Sequence, residues 1–72
     1  MKDHTIYREL SSTQYKMLVV NSLLIVTSYD ELPPLAILHA YNRNYRILQH
    51  TTQLEKHTNK PLFVYICEDI YG

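Results

Sequence analysis

The chain carries a single glycine, and it is the last residue, Gly72. That excludes every loop in which glycine lets the backbone approach a phosphate, both the P-loop and the dinucleotide fingerprint. It also sets a rule for turns. Wherever the backbone must take a positive φ, Asn, Asp or Ser has to supply it.

A chain of 72 residues is expected to form one domain, residues 1–72, close to the lower size limit for a self-supporting core. Its hydrophobic share of 46% is an ordinary globular level and argues against disorder. Seven acidic and seven basic side chains cancel, which disfavours a general polyanion binder. Their distribution is uneven. Residues 43–60 hold Arg43, Arg46, Lys56 and Lys60 against Glu55, whereas residues 61–72 hold only Glu68 and Asp69. One cysteine, Cys67, allows no internal disulfide and fits a reducing compartment. The most apolar run, residues 17–26, is interrupted by Asn21 and Ser22, and at about ten residues is half of what a membrane helix needs. Residues 3–14 are polar and lack the pattern of a secretory leader, so a cytoplasmic protein with no membrane contact is expected.

The local signals predict an α+β domain: two helices, about 12–28 and 34–50, with two or three short strands, among them about 4–9 and 62–67. Ser11 and Gln14 stand in capping-box spacing before the first apolar segment. That segment has no amphipathic face. An alternative for 14–28 is therefore a β-hairpin, with strands 16–20 and 23–29 around Asn21-Ser22, favoured by Val19, Val20, Ile25, Val26 and Thr27. Pro34 suits a first helical position. From there a helical wheel gathers His39, Asn42, Arg43, Arg46, Gln49 and His50 on one side. Ala36, Ile37, Leu38, Ala40, Tyr41, Tyr45, Ile47 and Leu48 fall on the other, a broad apolar side suited to a core helix. Residues 58–61 read as a turn, and residues 62–67 as a buried strand before a fraying polar end.

Catalytic chemistry has little to build on. Cys67 is followed by Glu68 and Asp69, which disfavour a thiolate, and a small buried hydrophobe is the better reading. His50 and His57 are too far apart in sequence for a helical metal pair and have no third ligand nearby. Asp30-Glu31 and Glu68-Asp69 are adjacent rather than facing. No catalytic residue, cofactor or metal is expected. The seven tyrosines point instead to a binding surface, since Tyr buries area while keeping a polar tip.

The sequence therefore predicts a small non-enzymatic interaction protein, an inhibitor, adaptor or regulator of another protein. Its expected contact residues are His39, Asn42, Arg43, Arg46, Gln49, His50, Tyr41 and Tyr45. Base rates for chains of this size suggest a viral or mobile-element origin. A homo-oligomer is also expected, because segment 17–26 exceeds what one small core can cover. One alternative is a nucleic-acid-binding regulator using the His39, Arg43, Arg46, His50 stripe, although two arginines give only a shallow salt dependence. The other is a structural subunit of a larger assembly.

Overall fold

A computed structural model describes residues 6–70 and corrects the α+β expectation: every regular element among them is a strand. The strands are β1 (Tyr7–Glu9), β2 (Lys16–Val20), β3 (Leu23–Ser28), β4 (Ile37–Ala40), β5 (Arg43–Leu54) and β6 (Pro61–Ile70). They form one sheet in the order β1-β4-β5-β6-β3-β2, curled into a half-barrel. β1 lies parallel to β4 and all other neighbours are antiparallel.

The predicted helix at 12–28 is replaced by the β2–β3 hairpin, close to the alternative weighed for that segment. β-branched residues lose rotamer freedom in a helix and fit the pleat. The capping-box residues make only one turn, in which Ser11 C=O accepts from Gln14 N–H at 3.2 Å and Tyr15 N–H at 3.1 Å.

The predicted helix at 34–50 is replaced by β4, a two-residue turn and β5. Pro34 sits in a turn closed by Ala36 N–H donating to Pro33 C=O at 3.2 Å. The broad apolar side of the wheel came from two strands with opposite facing sequences. Leu38 and Ala40 face the core from β4, and Tyr45 from β5. A bulge between Ile47 and Gln49 then shifts the alternation again, so no single period runs through the segment.

The strand expected near 4–9 is β1, with His4 and Thr5 outside the described residues. The strand expected at 62–67 is longer, and its polar end does not fray as far as Ile70: Asp69 pairs with Tyr45 and Ile70 with Asn44.

The turns follow the glycine rule with one exception. Asn21 (φ 52) and Ser22 (φ 66) close β2–β3, Tyr41 (φ 54) and Asn42 (φ 61) close β4–β5, and Asn59 (φ 58) lies in the β5–β6 connection. Two consecutive positive-φ residues make the type I′ turn whose twist matches a hairpin. Tyr41 is the exception, a bulky residue in a region that costs on the order of 1 kcal/mol.

Alternate positions fill the inner face of the sheet. Leu24, Val26, Leu38, Ala40, Tyr45, Tyr65 and Cys67 are buried there. Leu10, from the connection after β1, and Leu32 and Ala36, from that after β3, complete the core, with Tyr15 packed against it. Leu32 N–H donates to Tyr65 Oη at 2.7 Å, pinning the 29–36 connection over the inner face. Losing that buried acceptor would cost about 1–3 kcal/mol.

Candidate interaction surface

The pairing of β5 with β6 explains the uneven charge of the sequence. The basic segment and the acidic tail become neighbours. Arg43 donates to Asp69 Oδ2 at 2.6 Å, and Arg46 donates through Nε to Glu68. Both arginines are largely exposed, so each pair contributes only about 0–1 kcal/mol after solvent screening.

The eight predicted contact residues do not come together. Residues an odd number apart on a strand point to opposite faces. Arg46 therefore lies on the outer face while Arg43 and the buried Tyr45 lie on the inner one. His39 is on the outer face, where its Nδ1 meets both Glu9 carboxylate oxygens at 2.9 Å. Tyr41 and Asn42 form the exposed β4–β5 turn. Beyond the bulge, Gln49 faces outward opposite Ile66, and His50 faces inward with its ring 6.0 Å from that of Tyr65. The tyrosines disperse likewise: Tyr45 and Tyr65 are core, while Tyr7, Tyr29 and Tyr41 are exposed on β1, a connection and a turn.

Two titratable groups are shifted. Burial alone pushes the Cys67 thiol up to about 12, and the side chain is completely enclosed. It is a core residue with no accessible thiolate. Glu55 is held below its usual range by the backbone N–H of Thr58 and then that of His57, donating to its Oε1 at 3.0 and 2.7 Å. This carboxylate organises the β5–β6 connection. Among the described residues no group of His, Cys, Asp and Glu could hold a metal ion, and no buried side-chain nitrogen or oxygen lacks a partner. Among the described residues no helix is long and apolar enough to cross a membrane.

The surface that stands out lies apart from the eight expected contact residues and draws instead on segment 17–26, whose apolar excess underlies the expectation of a homo-oligomer. The pairing register places Leu18 and Val20 of β2, Leu23 and Ile25 of β3, and Val64, Ile66 and Ile70 of β6 on the outer face. Antiparallel sheets with one face in water usually alternate apolar-in with polar-out. This sheet is apolar on both faces over β2, β3 and β6, and the connections that close the core lie on the inner face. Leu18 is 60% exposed and Val20 41%, at one margin of the patch, while Leu23, Ile25, Val64, Ile66 and Ile70 are half-buried. Glu68 of β6 separates Ile70 from the rest of the patch, and Arg46, His39 and Glu9 lie beyond it on β5, β4 and β1. The available signal was the unbroken apolar character of 23–26 and 62–67, too much for one covered face of so small a sheet.

No family model, curated protein or solved structure matches this chain.

Proposed function

We propose that the chain is a small non-enzymatic interaction protein that binds another protein in the cytoplasm as an inhibitor, adaptor or regulator. One observation carries the reading: the apolar outer face over β2, β3 and β6, covered by none of the described elements. Contiguous apolar patches with a polar margin are what protein-binding surfaces present. The contact residues move accordingly, from the dispersed His and Arg stripe to Leu23, Ile25, Val64 and Ile66, with Arg46 and Glu68 at the margin.

A photo-crosslinking residue at Ile25 should capture a partner that the same residue at Gln53, far along β5, does not. With that partner purified, Ile66→Lys should weaken binding at least about tenfold, roughly 1.4 kcal/mol, with an unchanged circular dichroism spectrum. Unaltered affinity in both Ile25→Lys and Ile66→Lys would sink the assignment.

A further inference from the structure

We propose that β2 is a self-association edge: two copies of this chain join by antiparallel pairing of their β2 strands about a two-fold axis at Leu18. The argument starts from the turn. A two-residue type I′ turn makes the residues flanking it, Val20 and Leu23, a hydrogen-bonded pair. Alternation then assigns the backbone groups of Leu18, opposite Ile25, and Lys16, opposite Thr27, to the bond with β3. The N–H and C=O groups of Met17 and Val19 point away from the sheet, and β2 is the last strand of its end.

Such an edge is ordinarily guarded by charge, proline, a bulge or shortness. β2 has none of these over its length of Met17, Leu18, Val19 and Val20, and its one charge, Lys16, lies at the strand end within electrostatic reach of Glu55. Leu18, Val19 and Val20 are 60, 50 and 41% exposed.

A second copy fits this edge because the strand is complementary to itself. With the axis at Leu18, the outward groups of Met17 meet those of Val19 of the second copy, and the reverse, giving four hydrogen bonds. Leu18 faces its own copy as a non-hydrogen-bonded pair, the closer kind. Lys16 faces Val20 of the second copy, so no like charges oppose. On the outer face the row Ile66, Ile25, Leu18 continues without a polar break into Leu18, Ile25, Ile66 of the other chain. On the inner face Met17 and Val19 alternate across the seam. The inference stands apart from the binding of another protein, since it uses the strand edge rather than the middle of the outer face.

Sedimentation equilibrium of the whole chain should give a mass that doubles with rising concentration. Val19→Pro removes an outward N–H that makes no bond to β3, and proline is tolerated on an edge. The variant should remain monomeric with its spectrum intact. Leu18→Lys sets like charges against each other on the axis and should do the same. The register has its own readout, independent of how well those variants fold. Under mild oxidation Leu18→Cys should form a disulfide-linked dimer, because residues meeting across a non-hydrogen-bonded antiparallel pair lie within disulfide reach. Val20→Cys, which faces Lys16 of the other copy, should crosslink at least about tenfold more slowly. A monomer at every concentration, a dimer that survives both Val19→Pro and Leu18→Lys, or equal crosslinking at the two positions overturns the proposal. Ile66→Lys separates the two readings, since it should weaken partner binding at least about tenfold and leave the β2 pairing in place.

Discussion

The sheet has two edges, and they are built differently. β1 is three residues long, Tyr7, Arg8 and Glu9, with two of its side chains charged. It joins the sheet by parallel pairing to β4, the only parallel pair among the described strands. Its side chains are exposed, and it is held from its ends: Ile37 N–H donates to Ile6 C=O at 2.7 Å, and Leu10 N–H to His39 C=O at 2.9 Å, with Leu10 only 4% exposed. β2 is longer, apolar on both faces and held by a tight hairpin. A short charged edge offers an added strand few bonds and an unfavourable field, whereas a longer apolar edge offers both bonds and burial. The difference teaches that one end of the sheet is closed to further strands and the other is open.

The largest expected effect concerns the centre against both edges. Cys67 on β6 is enclosed between β5 and β3, so only opening of the sheet interior can expose it. Alkylation by iodoacetamide should be slower than in denaturant by on the order of a thousandfold, the opening penalty expected of a marginally stable domain. Labelling that is fast in native buffer would mean the sheet parts at its middle, and the contrast of the edges would then be secondary. The thiol also gives a pH signature. It ionises near 9.0 in the unfolded chain and is pushed up to about 12 in the fold. The stabilisation from keeping it neutral is therefore complete below pH 9.0 and is lost as pH rises towards 12. Thermal melts of the wild type and Cys67→Ala should converge over that range.

Leu10→Ala comes next. If β1 is held from its ends, removing its buried anchor should cost about 2–5 kcal/mol in chemical denaturation. Tyr7→Ala, on the strand itself and 68% exposed, should cost well under about 1 kcal/mol. Equal costs would show that the strand's own side chains secure it.

These edges could be read from the sequence only in part. The hairpin of β2 and β3 was legible as an alternative, because β-branched Val19, Val20, Ile25, Val26 and Thr27 flank a polar pair. The β4–β5 hairpin was hidden. Its turn is Tyr41-Asn42 instead of a glycine pair, and the parity change at the turn and the bulge near Leu48 smear two-residue alternation into an apparent helical stripe. The stripe of His39, Arg43, Arg46 and His50 was an artefact of that wheel, since strand geometry sends its members to both faces. The apolar excess at 17–26 was visible as sequence, but its place at an edge depends on strand order, which pairings distant in sequence decide.

The turns sharpen the comparison by a smaller amount. Ser22→Gly places glycine where φ is 66° and should stabilise the β2–β3 hairpin by about 0.5–1 kcal/mol. If β2 is an open edge, a firmer hairpin should also favour its self-pairing, read as a higher dimer fraction at fixed concentration. Stabilisation without any change in association would separate the hairpin from the edge.

The smallest effect is expected at Glu9. Its carboxylate meets His39 at 2.9 Å, but it is 74% exposed and the imidazole 37%, so solvent screens the pair heavily. Glu9→Gln should lower stability by less than about 1 kcal/mol, and high salt should erase the difference from wild type. Association should stay unchanged as well, because Arg8 still marks the strand and its length still limits the bonds an added strand could make. The charges of β1 then serve chiefly to keep other strands away, and Leu10 holds it in place. A loss of several kcal/mol in Glu9→Gln would reverse that assignment: the ion pair would be the fastening of this edge, and the two ends of the sheet would differ in how they are secured rather than in whether they are open.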